Sequence, residues 1–388
     1  MSKSFASGMA KATELTRTGN VQEATALIQS LLGNRVKADP QFMADSAIDG
    51  TFTTLDPPSP GPSTPAKPLR SPKFTHAPRG GLGETLRKIA AGGMPGPAPQ
   101  PNGSIAVAEG AQFLTLTHAS AGGSRDYRLY VPANQTGAPL PLIVMLHGCT
   151  QTPDDFAIGT GMNALAEEVG CLVAYPAQPS GANMQKCWNW FRPEDQARGG
   201  GEPALIAGLT RDILQAHSGD KARVYVAGLS AGGAAAAIVA AAYPDIFSAV
   251  GVHSGLPTGA ASDVPSAFAA MRSGAKGKVQ REAVPTIVFH GQADTTVHPD
   301  NGLAVKDQAA ASGQKLKTTT VAGTSAGGRA YRQTTLATPG GRVLVEHWEI
   351  AGAGHAWAGG HPKGSYTDPK GPDASREMLR FFLQHAKE

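Results

Sequence analysis

Short apolar runs bounded by glycine and proline, Ala-rich helical stretches between those runs, and a Gly-x-Ser-x-Gly element at a strand-to-helix junction predict an α/β protein. The architecture they imply is a doubly wound, mostly parallel sheet of the α/β-hydrolase fold, preceded by an N-terminal helical hairpin and a disordered linker.

The apolar runs are RLYVP (128–132), PLIVMLHG (141–148), CLVAYP (171–176), RVYVAGLS (223–230), AVGVHSG (249–255), TIVFHG (286–291) and VLVEHWEI (343–350). Near-continuous hydrophobicity over five to eight residues is what a strand covered on both faces requires. Helical patterns separate them: DDFAIGTGMNALAEEVG, EPALIAGLTRDILQAHS, GGAAAAIVAAAYP and DNGLAVKDQAAASG, with DASREMLRFFLQHAK closing the chain. These elements place a catalytic domain over 104–388. Residues 36–103 are rich in Pro, Ser, Gly and Ala, a composition that buries too little apolar surface to offset ordering entropy, and they read as a linker. Residues 1–35 read as a helical segment. Its second helix opens at Asn20 with Glu23 three positions on, carries Val21, Leu27, Ile28 and Leu31 on one face, and stops at Gly33. That face needs a partner: a granule, another protein, a second copy, or the chain's own catalytic domain.

The formal charge of +4 over 388 residues is small and the 34 basic residues are scattered, so neither nucleic acid nor an anionic membrane is an expected partner. No run approaches the roughly 18 apolar residues of a membrane-spanning helix, so no membrane insertion is expected. The first twenty residues lack the apolar stretch of a secretory signal, which makes the cytoplasm the default location. Three cysteines without a Cys-x-x-Cys pair suggest no metal site, and no metal or organic cofactor is expected.

Ser230 lies at the centre of Gly228-Leu229-Ser230-Ala231-Gly232, between a β-branched strand and an Ala-rich helix. A nucleophilic serine needs such a turn to lift its Oγ clear of the sheet, and the glycines remove the Cβ atoms that would clash there. The pattern recurs at Gly323-Thr324-Ser325-Ala326-Gly327, but a strand-like run follows it, so it reads as a hairpin turn. A serine hydroxyl needs a neutral imidazole to take its proton and a carboxylate to orient that imidazole. Asp294 and His355 follow Ser230 in the required order, each just past a strand and in a Gly-rich loop. Asp300, His298 and His361 are the alternatives, whereas His118, His217 and His385 carry no signal and read as solvated polar residues. The oxyanion hole is assigned to the backbone N–H groups of Cys149 and Ala231, each worth about 10²–10³ in rate. Trp188, Trp190 and Trp357 are expected to form an apolar wall for substrate.

The segments LHGCTQT, AYPAQPSGANMQKCWNWF, GLSAGGAAA, FHGQADTTVHP and GHAWAGG resemble, in order and spacing, the polyhydroxybutyrate depolymerase family of esterases, relatives of feruloyl and acetyl-xylan esterases. The resemblance spans about residues 110–385. It implies a triad of Ser230, Asp294 and His355, an oxyanion loop containing Cys149, an ester of a short 3-hydroxy acid as substrate, and secretion as the alternative location. Secreted members that attack crystalline polyester generally carry a signal peptide and a separate polymer-binding domain. Neither is read here, so amorphous granules, soluble oligomers and other small esters stay open. The rival readings are a feruloyl or acetyl esterase, an acyltransferase, and a binding protein on this fold. Cys149 and Cys187 fall in two loops that the architecture can bring together, so a disulfide between them is the alternative to two free thiols, while Cys171 should be a buried thiol.

Overall fold

The computed structural model of the protein describes residues 105–387 except 121, 136, 279–283 and 312–314. The predicted N-terminal helices and linker lie outside the described residues.

Ten strands form one sheet in the order β1-β2-β4-β3-β5-β6-β7-β10-β9-β8. They are β1 (Gln112–Ser120), β2 (Gly123–Val131), β3 (Leu140–Leu146), β4 (Leu172–Pro176), β5 (Gly219–Leu229), β6 (Ala249–His253), β7 (Thr286–Gly291), β8 (Lys317–Thr324), β9 (Ala330–Ala337) and β10 (Val343–Ile350). The six central strands, β4 to β10, pair in parallel, and antiparallel strands extend both edges. This is the α/β-hydrolase fold. Two further strands, β11 (Trp357–Ala358) and β12 (Thr367–Asp368), form a separate two-residue ladder.

Every residue of β3, β4, β6 and β7 is buried, which explains their uninterrupted apolar runs. Alternation then sends side chains into two cores. Leu142, Val144 and Leu146 meet α3 (Gly201–Ala216) and α4 (Ala231–Ala242) on one face. Ile143 and Met145 meet α1 (Pro153–Thr160), α2 (Met162–Val169) and α7 (Ala374–Phe382) on the other. Helix α1 starts where the sequence chemistry says it should, with the Thr152 side chain accepting from the Asp155 amide and Pro153 in the first turn. Helix α7 lays Met378, Leu379, Phe381 and Phe382 on the sheet, and Phe382 stacks on Tyr225 at 5.0 Å.

Among the described residues the predicted strands and helices are present within a few residues, except that the single helical pattern over 154–170 is broken at Gly161 into α1 and α2. The sequence pattern left β1, β8 and α5 (Val264–Ser273) unassigned; α5 is opened by an Asp263–Ser266 capping box between β6 and β7, and α6 (Asp300–Ala310) follows β7. Residues 325–329 are the turn of the β8–β9 hairpin, and Ser325 Oγ donates to the Lys370 carbonyl at 2.5 Å.

From β3 the chain crosses to β4 on one side, then returns to β5 on the other. The strand order therefore reverses between β3 and β5, and a crevice opens at their carboxyl ends, where α/β sheets place ligands.

Several histidines are packed inside rather than solvated. His118, His147, His253, His290, His347 and His385 are all buried, which corrects the solvated reading of His118 and His385. Burial pushes the His147 imidazole down to about 4 and that of His253 to about 3. Below the ordinary histidine value of about 6.5 the unfolded chain takes protons that these two rings refuse, so their contribution is complete above that pH and is lost as pH falls towards 4. Glu202, raised to about 7 by burial and by Asp195, acts in the opposite sense between its ordinary value and 7 and offsets part of the slope. The denaturant midpoint should accordingly drop between pH 7.5 and pH 5, each of the two histidines costing roughly 2 kcal/mol at the lower pH. A midpoint that holds or rises towards pH 5 would show that the two rings do not carry the pH dependence of stability.

Candidate active site

Ser230 sits between β5 and α4 with φ 59° and ψ −121°, a conformation that side-chain-bearing residues rarely adopt. The close approach of neighbouring backbones imposes it. A Cβ at Gly232 would lie 2.1 Å from the Leu146 carbonyl oxygen, and one at Gly228 would lie 2.3 Å from Gly232. The Ser230 amide donates to the His253 carbonyl at 2.9 Å, tying the turn to the end of β6.

Asp294 follows β7 and His355 follows β10, and the two side chains meet. His355 Nδ1 lies 2.7 Å from Asp294 Oδ2, while Asp294 Oδ1 accepts the amides of Thr296 and Val297 at 2.9 Å each. Burial by itself would raise the Asp294 carboxyl, but His355 and His290 beside it outweigh that and hold it well below the usual carboxylate range. An ionised, fully buried carboxylate accepts, so His355 carries its proton on Nδ1. His355 Nε2 is buried and has no hydrogen-bond partner among the described residues. The alternatives sit elsewhere: His298 and Asp300 form an exposed pair 3.5 Å apart, and His361 is exposed.

His253 was not anticipated from the sequence and connects these parts. Its carbonyl holds Ser230, its Nε2 accepts the Ala358 amide at 2.9 Å three residues past His355, and its ring stacks on Trp357 at 5.0 Å. Its signal was a histidine at the end of an otherwise apolar strand, AVGVH.

The loop after β3 presents a free donor. The Gly148 amide is taken by Gln151 Oε1 at 2.9 Å, that of Thr150 by the Gln185 carbonyl at 2.7 Å, and that of Gln151 by the Gly148 carbonyl at 3.3 Å. Among these, only the Cys149 N–H has no acceptor within the described residues. Ala231, as the first residue of α4, has no carbonyl one turn before it. Ser230, Cys149 and Ala231 line one cavity of about 170 Å³, whose remaining wall is mostly apolar, with Trp190, Phe191, Leu256 and Met271, and includes the uncharged polar side chains of Asn183 and Gln185.

Two of the three tryptophans expected to line the site do not. Trp188 is fully buried, its Nε1 donating to the His147 carbonyl at 3.0 Å. Trp357 is buried between His253 and Phe156, its Nε1 donating to Ser375 Oγ at 3.0 Å. Both indole N–H groups find partners inside, so the rings serve the core, and only Trp190 reaches the cavity.

Cys149 and Cys187 are joined by a disulfide, and Cys171 is a buried free thiol. Backbone strain gathers at this edge: of the six non-glycine residues with positive φ among the described residues, Thr150, Lys186, Ser230, Ser254 and Tyr366 are in the loops around the crevice and only Ser218 is remote.

Residues 125–322, half of the chain, match the family model for esterase PHB depolymerases. The poly(3-hydroxyalkanoate) depolymerase C of Paucimonas lemoignei is 34% identical over 269 residues, which cover 65% of this chain and 64% of that protein. Feruloyl esterase B of Thermothelomyces thermophilus is 33% identical over 44% of this chain and 64% of its own length. For acetylxylan esterase A of Talaromyces purpureogenus the figures are 30% identity, 49% of this chain and 54% of that protein. The chain thus spans a little under two thirds, or less, of the length of these three relatives. Among solved structures, an acetyl xylan esterase from Aspergillus awamori superposes with a TM-score of 0.53 at 21% identity, over 71% of this chain and 99% of that one, and shares the fold.

If the Ser230 backbone is strained as its dihedral angles state, Ser230→Gly should be about 1 kcal/mol more stable than Ser230→Ala, because glycine adopts positive φ freely. Thermal denaturation of the two variants decides it, and a less stable glycine variant would show that the turn carries no strain.

Proposed function

The chain belongs to the esterase PHB depolymerase family, and on that premise we propose that it hydrolyses carboxylic esters through an acyl-enzyme formed on Ser230. The observation that carries this reading is the Asp294–His355 pair, which leaves the opposite imidazole nitrogen buried and unpartnered. Asp294 holds the Nδ1–H tautomer and stabilises the imidazolium. His355 Nε2 takes the Ser230 proton as Oγ attacks the ester carbonyl, and the amides of Cys149 and Ala231 receive the developing oxyanion. His355 then protonates the departing alcohol, and water repeats the sequence on the acyl-enzyme. The domain from 104 onward carries these groups, with residues 1–103 accessory to them.

The cavity is mostly apolar, its polar side chains being the uncharged Ser230, Asn183 and Gln185, with no charged side chain in its wall among the described residues, which suits an uncharged acyl or hydroxyacyl unit. Esters of short 3-hydroxy acids, as oligomers or as amorphous polyester, are the leading substrate class. The relative matched over most of this chain is named for a poly(3-hydroxyalkanoate), which supports them over feruloyl or acetyl esters on polysaccharide. Transfer of the acyl group to an added alcohol distinguishes an acyltransferase. The Cys149–Cys187 bridge favours an oxidising compartment over the cytoplasm.

Ser230→Ala should reduce ester hydrolysis to a residual of about 10⁻³ or below while Ser325→Ala leaves the rate nearly unchanged, assayed on hydroxybutyrate oligomers, amorphous granules, and feruloyl and acetyl esters. Reversal of the two results would make the hairpin serine the nucleophile. Thiol titration under denaturing, non-reducing conditions should find one free thiol; opening the bridge, which closes a loop of 38 residues, should lower stability by roughly 4 kcal/mol. Three free thiols would place the protein in a reducing compartment.

A further inference from the structure

We infer that Glu202 is a positioning residue for the oxyanion hole, setting the place of the Cys149 N–H through the loop that carries Cys187. The inference rests on the reading of Cys149 as an oxyanion donor.

Glu202 stands in the first turn of α3 and is buried. Its carboxyl is surrounded by donors from the neighbouring loops. Oε2 accepts the Asn189 amide at 2.8 Å, and Oε1 accepts Asn189 Nδ2 at 2.8 Å together with Gln178 Nε2. Its own amide donates to Asp195 Oδ1 at 2.8 Å, and Arg125 Nη2 lies 4.0 Å from Oε1. A buried carboxyl is expensive, and an apolar side chain of similar volume would often serve stability as well or better. What an apolar replacement would not supply is a fixed point for three hydrogen bonds to one loop.

That loop is clamped to the oxyanion loop at several points. Gln178 Nε2 also donates to the Cys187 carbonyl at 2.9 Å, and the Gln178 amide donates to His147 Nε2 at 3.1 Å. Trp188 Nε1 donates to the His147 carbonyl at 3.0 Å, and His147 Nδ1 donates to the Gly148 carbonyl at 2.8 Å. The Cys149–Cys187 bridge then joins the residue beside Trp188 to the residue whose amide is the free donor. Glu202 reaches Cys149 by two routes: through Asn189 and along the chain to Cys187, and through Gln178 and His147. Neither ends on substrate, so a displacement at Glu202 should alter the charge-developing step more than ground-state binding.

The test uses the full chain and a soluble ester, with Glu202→Gln, Glu202→Ala and Gln178→Ala, thiol counts and thermal melts confirming the bridge and the fold. Glutamine keeps the shape but turns an NH2 group on a donor, so Glu202→Gln should already lower kcat about 10-fold and Glu202→Ala about 100-fold, with KM within about 3-fold. Affinity for a boronic acid that forms a tetrahedral adduct on Ser230 should weaken by the same factors, while inhibition by the product acid stays unchanged. Gln178→Ala should shift the same quantities in the same direction, and it decides the matter if both Glu202 variants misfold. Folded variants with unchanged kcat, or with boronate and product affinities weakened equally, would overturn the role of Glu202. An active Ser230→Ala would instead overturn the acyl-enzyme reading, which separates the two failures.

Discussion

The first turn of α4 presses against the end of β3 so closely that no side chain fits between them. Gly232 would place a Cβ within 2.1 Å of the Leu146 carbonyl oxygen. Two glycines and a strained serine are the local cost of that contact, and the arrangement of the crevice depends on it. Because the helix begins there, its first N–H groups and the positive end of its dipole point to the same place as Ser230. Because β3 ends there, the loop that follows comes alongside with the Cys149 amide, the one among the amides of 148–151 without an acceptor within the described residues. A serine and two donors are thus brought onto one cavity by backbone packing before any side-chain interaction is considered.

Buried polar groups then hold the loops in place. His147 and His253 are kept neutral by burial, and each uses both carbonyl and ring to link segments far apart in sequence. On the far side of the loop after β3 Asp155 accepts from Gln151 Nε2 at 3.0 Å and from the Ser365 amide at 2.9 Å, which aims Gln151 Oε1 at the Gly148 amide. Glu202 does the corresponding work on the near side. Each unpaired buried group in such a network costs about 1–3 kcal/mol, and here most are paired, with Gln178 Oε1 and Arg125 Nε left without a hydrogen-bond partner among the described residues. The rigidity of such networks suits chemistry in which donors must already point at a charge that exists only briefly.

The apolar wall of the cavity comes, apart from Ala231, from four sources: the disulfide-bearing loop, the stretch after β6 that contributes Leu256, α5, and the stretch after Asp294 that contributes Val297. None of these is a strand of the sheet. The composition of the cavity wall can therefore vary with these loops and helix while the turn at Ser230 and the Asp294–His355 pair stay as they are.

Much of this was legible in the linear sequence. Apolar runs marked the buried strands, Gly-Leu-Ser-Ala-Gly marked the turn, and chain order with Gly-rich settings picked Asp294 and His355 ahead of Asp300, His298 and His361. These are local signals, written in residues whose neighbours in sequence are also their structural context. The tryptophans were not legible in this way: Trp188 and Trp357 look like Trp190 in a string of letters, and only the location of a carbonyl or hydroxyl for each indole N–H separates a core ring from a cavity wall. The same holds for β8, exposed on both faces and so without an apolar pattern, and for Glu202, an ordinary helix-start glutamate until its three donors are seen. The sequence by itself determined the sheet, the tight turn at Ser230 and the choice of the aspartate and histidine that the fold brings together. The tertiary structure alone decided which buried polar groups find partners, because hydrogen bonds between residues dozens of positions apart leave no periodic trace in the chain.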